Sequence, residues 1–189
     1  MEWVIHRYGV VGSTMDVAEE LALAGAPAGT VVVADEQTAG RGKPGRVWLA
    51  PAGSCLLFTV LLRPPLEVAR RPTLSREVAE RVRAAVAELT GLTMHVKDPN
   101  DVMVNGRKLA GILCQTSIQG EMLEHLLIGI GLNVNIPASQ LPLETATSLL
   151  VETGTPHDRE QLLHAILAQL TRIPGLTPEI PEPAARLQP

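Results

Sequence analysis

The chain retains its few lysines at positions where chemistry could use them. Of the 16 basic residues 13 are arginine, and the three lysines are Lys43, Lys97 and Lys108. Lys108 begins an otherwise apolar segment, and an ammonium group there suits the charge that develops on a reacting phosphate or carboxylate. A lysine that protects a strand edge is the structural alternative.

Residues 37–53 form a glycine- and proline-rich loop. Gly40, Gly42 and Gly45 match the pattern G-x-G-x-x-G, which in a dinucleotide-binding turn requires a helix to begin at the third glycine. Residues 48–53 contain a proline and a glycine that break any such helix, so this interpretation is excluded. The P-loop pattern G-x-x-x-x-G-K-[ST] is absent from the sequence as well.

Three cations lie in this loop at near-alternate positions, namely Arg41, Lys43 and Arg46. Glycines permit close approach of the backbone, and guanidinium and ammonium groups bind phosphate or carboxylate oxygens. The loop is therefore a candidate anion-binding element. A solvated basic loop without a ligand is the alternative of similar weight.

A hairpin is predicted to bring Lys108 next to an acidic segment. The Asn-Gly pair at 105–106 favours a tight type I′ turn, which places Lys108 opposite Met103 or Val104. Asp101 is then expected close to Lys108. A purely local role of Asp101 in the turn is the alternative.

Residues 129–135 read Gly-Ile-Gly-Leu-Asn-Val-Asn and end a predicted strand. Glycines inside a strand indicate close approach by a ligand or by another backbone. Asn133 and Asn135 alternate and therefore share one face. A bulge followed by a turn explains the same pattern.

Hydrophobic periodicity and capping residues predict the elements that position these groups. Helices are expected over 14–24 after an N-cap at Ser13, over 72–90, and after an N-cap at Asp158. Strands are expected over 3–8, 30–34, 55–62, 102–104, 108–115 and 123–134. This order predicts an α/β or α+β domain on a mixed or antiparallel sheet.

Composition excludes several classes of protein. The 189 residues are 46% hydrophobic and 19% charged, with a net charge of −4. A large core is expected, and strong attraction to nucleic acid or to an anionic membrane is not. Cys55 and Cys114 lie in apolar runs and predict buried thiols rather than a disulfide framework. The N-terminus shows no signal peptide, and the expected setting is cytoplasmic.

Taken in order, the motifs resemble the catalytic domain of biotin protein ligases (biotin–[acetyl-CoA-carboxylase] ligases) in a minimal form. The similarity covers roughly residues 8–173. Each motif alone is modest, but the ordered set is specific. The matching segments are Ser13-Thr14, 37–48, 97–101, 108–113 and 129–133.

The resemblance implies a fold and a reaction. The fold would be α+β in two layers, with a mixed, mainly antiparallel sheet and helices packed on one side, as in biotin/lipoyl protein ligases. Biotin and ATP, with Mg²⁺ carried by the nucleotide and no dedicated protein metal site, would give biotinyl-5′-AMP and pyrophosphate. Biotin would then pass to one lysine of a biotin carboxyl carrier protein. Two anions must meet, so the site needs cations.

The resemblance also implies a role for each matched position. The catalytic group would comprise Lys108, between the biotin carboxylate and the α-phosphate, with Arg41, Lys43 and Arg46. The implied biotin-binding residues are Ser13, Thr14, Gln37, Gly40, Arg41, Trp48, Lys108, Gly111 and Gly129. The implied ATP-binding residues are Arg41, Lys43, Arg46, Trp48, Lys97, Asn100, Asp101 and Asn133.

Two positions depart from the family pattern. Lys43 stands where the family usually has arginine, and it keeps the charge but loses the bidentate fork. The resemblance therefore predicts weaker retention of the adenylate. Asp98 stands where the family usually has tryptophan, and it brings an anion near the ATP site. Weaker nucleotide binding is expected unless Lys97 or a metal compensates.

Residues 1–173 are predicted to form the catalytic domain and 174–189 a proline-rich tail. No helix-turn-helix segment is expected before the first motif, so no DNA binding is predicted, and the tail is too short for a C-terminal β domain. A homodimer is expected by analogy with relatives. The alternatives are a lipoate or octanoate transferase of the same fold and a non-catalytic biotin- or nucleotide-binding module.

Overall fold

The computed structural model describes residues 2–43 and 46–177, and these are built around one seven-stranded sheet. The sheet order is β1-β2-β3-β7-β6-β5-β4, with β1 and β2 parallel and the other five neighbouring pairs antiparallel. The α+β class and the mixed, mainly antiparallel sheet are therefore confirmed. The strands are β1 (Val4–Val11), β2 (Thr30–Gln37), β3 (Cys55–Leu62), β4 (His95–Lys97), β5 (Asp101–Val104), β6 (Arg107–Gln119) and β7 (Met122–Asn133).

The first and the last helix begin at the predicted caps. Ser13 Oγ accepts from the Met15 backbone N–H, and Asp158 accepts from the N–H groups of two residues in the first turn of its helix. Two helices, over Leu66–Ala69 and Leu149–Thr153, are too short for periodicity to predict them. The helices are α1 (Thr14–Leu23), α2 (Leu66–Ala69), α3 (Leu74–Thr90), α4 (Leu149–Thr153) and α5 (Arg159–Leu170).

The expectation that the helices lie on one side of the sheet is wrong for α1. Val31 and Val33 of β2 face the core cluster that α3 and α5 complete, whereas Val32 faces Met15 and Ala18 of α1. Residues 31–34 of β2 and nearly all of β3 are apolar without alternation, and such runs are buried on both faces. A helix on each face provides that burial.

The hairpin has the predicted geometry. Asn105 and Gly106 both have positive φ, at 49° and 76°, as a type I′ turn requires. Met103 lies opposite Lys108, and the register shifts at a bulge between Val102 and Met103. This turn fixes where Lys108 enters the sheet.

The chain beyond α5 packs on the domain as far as it is described. Leu176 is fully buried in the core, and the Pro174 carbonyl accepts from Arg71 of the α2–α3 connection at 3.3 Å. Most of the predicted proline-rich tail, residues 178–189, lies outside the described residues. Within the described part of the chain, each helix is too short or too polar to cross a bilayer.

Candidate active site

A cavity of about 840 Å³ lies on the face of the sheet that carries α1. Strands β6 and β7 form its floor, and the loop after β2 covers it. All the residues predicted for the site line this cavity except Gly40. Those lining residues are Ser13, Thr14, Gln37, Arg41, Lys43, Arg46, Trp48, Lys97, Asn100, Asp101, Lys108, Gly111, Gly129 and Asn133.

Glycines in the floor allow two side chains to lie directly on the strands. A Cβ on Gly131 would lie 2.6 Å from the Trp48 ring, and one on Gly111 would lie 2.9 Å from it. A Cβ on Gly129 would lie 2.7 Å from Met15 Sδ. The predicted close approach is therefore made by side chains, and any larger residue in the floor would push them into the cavity.

Gly40 lies behind Trp48 rather than in the cavity wall. Its Cβ would lie 2.5 Å from the Trp48 carbonyl oxygen, and its own carbonyl accepts from the Trp48 N–H at 2.9 Å. The Trp48 indole N–H is buried and has no hydrogen-bond partner among the described residues. A buried donor without a protein partner suits a ligand acceptor in the cavity.

Lys108 presents its ammonium group to the cavity. Its Nζ lies 2.7 Å from Asp101 Oδ1 and 5.4 Å from the centre of the Trp48 ring. The side chains of Lys108 and Asp101 are 32% and 20% exposed. The predicted proximity of the two is confirmed, and a partly desolvated ammonium interacts more strongly with an anion than one in water does.

The main chain of Lys108 is held by a segment that sequence reasoning missed. The Lys108 N–H donates to the Thr145 carbonyl at 2.8 Å, and the Thr147 N–H donates to the Lys108 carbonyl at 2.9 Å. Residues 145–147 thus pair with the start of β6 like a short parallel strand, with Ala146 at the bridge. The segment is too short to show a strand pattern in the sequence.

Glu152 of α4 holds both the hairpin turn at 105–107 and the segment 145–147. Its side chain is 5% exposed. Its carboxylate accepts from Arg107 at 2.7 Å, from Thr147 at 2.5 Å and from Asn105 at 2.9 Å. A carboxylate with three donors rigidly links the hairpin turn to the segment beside Lys108.

A polar wall closes the end of the cavity beside α1. Gln37 Oε1 accepts from the Thr14 backbone N–H at 2.8 Å and from Thr14 Oγ1 at 3.0 Å. Thr59 Oγ1 donates to Thr14 Oγ1 at 2.8 Å, and Ser13 is buried beside them. These bonds fix the orientation of the Gln37 amide. The roles of Ser13, Thr14 and Gln37 toward biotin stay predictions.

The three loop cations differ in their surroundings. Arg41 donates to Asp16 Oδ1 at 2.9 Å and to Gln115 Oε1 at 2.6 Å. Lys43 and Arg46 are exposed and line the cavity. Gly45, the third glycine of the predicted loop pattern, lies outside the described residues.

Asp98 has a partner that the sequence did not reveal. Its carboxylate forms an ion pair with Arg76 of α3. This partner lies 22 positions earlier in the chain. The effect of Asp98 on nucleotide binding stays a prediction.

Asn100 and Asn133 are held by the main chain. Asn100 Nδ2 donates to the Ile112 carbonyl at 2.7 Å, and Asn133 Nδ2 donates to the Thr147 carbonyl at 2.9 Å. Both residues are buried at the edge of the cavity. These bonds fix the two side chains at the edge of the cavity, and their contact with ATP stays a prediction.

The two cysteines are unsuited to nucleophilic chemistry. Burial raises the pKa of the Cys55 thiol to about 11 and that of the Cys114 thiol to about 11. The thiolate is the nucleophile, so both groups are neutral and inert near pH 7.

The fold and the cavity together define a class of protein. It is a domain with a mixed sheet, in which a glycine-rich basic loop covers a lysine at the start of a central strand. The model of the biotin/lipoate A/B protein ligase family matches residues 9–133, and the chain belongs to that family. The resemblance inferred from the ordered motifs is confirmed.

Individual relatives agree with this assignment. The chain is 38% identical over 163 residues to the bifunctional ligase/repressor BirA of Bacillus subtilis, covering 85% of this chain and 50% of the relative. It is 35% identical over 162 residues to the biotin–[acetyl-CoA-carboxylase] ligase of Paracoccus denitrificans, covering 82% and 67%.

A solved structure extends the similarity to the fold. The biotin protein ligase from Aquifex aeolicus in complex with biotin and ATP matches with a TM-score of 0.75 and 33% identity. The match covers 89% of this chain and 68% of that one. The chain spans half the length of the Bacillus relative and about two thirds of the other two.

Proposed function

We propose that this chain activates biotin with ATP to biotinyl-5′-AMP and transfers the biotinyl group to a lysine of a biotin carboxyl carrier protein. The observation that carries the proposal is Lys108 inside the covered cavity, with its ammonium paired with Asp101 and its main chain held by residues 145–147. Relatives named as biotin ligases and a solved relative with biotin and ATP bound support it.

In the first step a carboxylate oxygen of biotin attacks the α-phosphorus of ATP. The bond from that phosphorus to the bridging oxygen breaks, and pyrophosphate leaves with the electron pair. Two anions must approach each other, and Lys108 lowers the barrier by stabilising the charge between them. Lys43, Arg46 and Lys97 add positive charge at the rim of the cavity.

Magnesium enters this scheme with ATP as part of the substrate. Residues 2–43 and 46–177 contain no group of three or more His, Cys, Asp or Glu side chains placed to hold a metal ion. Asp98 and Asp101 are each paired with a cation of the protein. The described residues therefore suit the phosphates of a metal–nucleotide complex better than a resident metal.

In the second step the amine of the acceptor lysine attacks the acyl carbon of the adenylate. The bond from that carbon to the phosphate oxygen breaks, AMP leaves, and the new amide nitrogen gives its proton to solvent. Adenylation is what makes this possible, because a free carboxylate is a poor electrophile. The covered cavity limits competing attack by water.

The polar wall of Ser13, Thr14 and Gln37 is proposed to hold the ureido end of biotin. Buried urea groups need both donors and acceptors, and Gly111 and Gly129 leave room for the ligand beside the strands. Trp48 would lie along the ligand and direct its free indole N–H to it. The cytoplasmic setting, the homodimer and the lack of DNA binding stay predictions.

Offering alternative acids separates the proposal from its competitors. Biotin, lipoate and octanoate are each incubated with the protein and Mg-ATP, and pyrophosphate release is measured. We expect release with biotin alone. Release with lipoate or octanoate and not with biotin would identify the other branch of the family. Biotin binding by calorimetry without any pyrophosphate would identify a non-catalytic binding module.

Lys43 determines how well the adenylate is retained. Replacing Lys43 by Arg restores the two-pronged fork that an ammonium lacks, so adenylate release is expected to slow by about threefold to tenfold. Release is timed after removal of free biotin and ATP. Lys43→Met, which removes the charge, serves as the comparison and is expected to release faster than the parent protein. Equal release rates in all three proteins would contradict the role of Lys43.

A further inference from the structure

We propose that Arg41 acts as the centre of a latch that closes the glycine-rich loop over the cavity, and that it does not bind phosphate. The latch consists of Asp16, Glu19, Arg41 and Gln115. Its effect on ligand release rests on the proposed function, whereas its effect on the loop does not.

The geometry uses both terminal nitrogens of the guanidinium. Arg41 Nη1 lies 2.9 Å from Asp16 Oδ1, and Nη2 lies 2.6 Å from Gln115 Oε1. Gln115 Nε2 in turn donates to Glu19 Oε2 at 3.1 Å. Asp16 and Glu19 are three residues apart on α1 and so share one face of that helix. The loop is thereby tied to α1 and to β6 together.

The charge of the cluster argues against a phosphate role for Arg41. The cluster contains one cation, Arg41, and two anions, Asp16 and Glu19, so its formal charge is negative. A triphosphate approaching it would meet a neutralised guanidinium and an additional carboxylate. Lys43 and Arg46, which line the cavity further along the loop, are not part of this cluster.

The latch also restrains Trp48 through the backbone contacts of Arg41 and its neighbour. Arg41 forms an antiparallel bridge with Val47, and the neighbouring Gly40 carbonyl accepts from the Trp48 N–H at 2.9 Å. Trp48 then rests on Gly111 and Gly131. The latch therefore determines how firmly the indole ring covers the floor, and Asp16, Glu19 and Gln115 are positioning residues.

Amide hydrogen exchange of the ligand-free protein tests the latch directly. Asp16→Ala, Arg41→Gln and Arg41→Lys are each expected to speed exchange at residues 38–43 and 46–48 by about twofold to fivefold, which is the range of partly exposed ion pairs. The double variant Asp16→Ala/Arg41→Gln should add nothing beyond the single variants. Unchanged exchange, or fully additive effects, would overturn the proposal.

Asp35→Ala is the matched control. Asp35 carries a carboxylate that is 59% exposed and pairs with Arg159 at 2.9 Å, close to the 52% exposure and 2.9 Å of the Asp16–Arg41 pair. It does not line the cavity. Its replacement should leave exchange at the loop unchanged, and an equal acceleration there would show a general surface effect and overturn the latch.

Ligand kinetics distinguish the latch from a phosphate role. The latch predicts that Asp16→Ala and Arg41→Gln speed biotin dissociation alike and change the KM for ATP by less than twofold. A phosphate ligand predicts a KM for ATP that rises tenfold or more in Arg41→Gln, is unchanged in Asp16→Ala, and is restored by Arg41→Lys, and that result would overturn the proposal. A parent protein that binds no biotin would refute the proposed function, and hydrogen exchange would still decide the latch.

Discussion

Replacing Lys108 by Met is expected to slow adenylate formation by about a hundredfold to a thousandfold, the loss typical when one donor to a developing anion is removed. Methionine has a similar length and leaves the packing against Trp48 largely intact. The missing ammonium exposes the biotin carboxylate and the α-phosphate to their mutual repulsion. The measurement is the initial rate of biotin-dependent pyrophosphate release at saturating substrates.

Lys97→Met is the comparison for this experiment. Lys97 is an exposed residue at the end of β4, on the rim of the cavity, where solvent screens its charge. Its loss is expected to lower the rate by less than tenfold. Circular dichroism and the melting temperature of both variants show whether the fold survives. A Lys108 variant that is folded and loses no more activity than the Lys97 variant would remove Lys108 from the chemistry.

Replacing Gly131 by Ala is expected to weaken biotin binding by about tenfold to a hundredfold. The added Cβ would lie 2.6 Å from Trp48 Cε2, a separation that no real contact tolerates, so the indole ring must move into the cavity. Forcing one extra carbon into a packed site costs about 1–3 kcal/mol. The dissociation constant for biotin is measured by calorimetry.

Gly9→Ala is the matched control for the Gly131 variant. Gly9 also lies in a strand, its φ is not positive, and its Cβ would meet nothing within 4 Å. Its replacement should leave biotin affinity within twofold. The tryptophan fluorescence of the Gly131 variant should change, because Trp48 is one of only two tryptophans in the chain. Unaltered biotin affinity in Gly131→Ala would show that Trp48 does not shape the binding site.

The sequence predicted the features that depend on local chemistry. The Asn-Gly pair at 105–106 predicted the turn, and the turn predicted that Lys108 lies opposite Met103 or Val104, of which the structure has Met103. The same register predicted that Asp101 lies close to Lys108, and the two side chains form an ion pair. The glycines of β7 predicted a close approach because only a missing side chain permits one.

The remaining features depend on contacts between distant parts of the chain. Glu152 is joined to Arg107 across 45 positions and Arg41 to Gln115 across 74. Neither pair produces a periodic pattern in the sequence. A charged residue is therefore predicted to be solvated unless its neighbours in the fold are known. The resemblance assigns Arg41 to the catalytic, biotin-binding and ATP-binding residues, whereas the structure places its guanidinium between Asp16 and Gln115.

The face on which α1 packs was missed for a related reason. Continuous apolar strands indicate burial on both sides, but they do not say which helix covers which side. The answer depends on the parallel pairing of β1 with β2, which α1 connects. That crossover places Ser13 and Thr14 at the cavity, on the face opposite to α3 and α5.

A crystal structure of the protein incubated with biotin and Mg-ATP tests the central claim most directly. We expect continuous electron density for biotinyl-5′-AMP in the cavity, with the phosphate in hydrogen-bonding reach of Lys108 Nζ and the ureido group beside Gln37. A structure of the protein with biotin alone is the reference for the position of the biotin part of the ligand. An empty cavity, or biotin and ATP bound apart with Lys108 contacting neither, would contradict the proposed activation of biotin at this site.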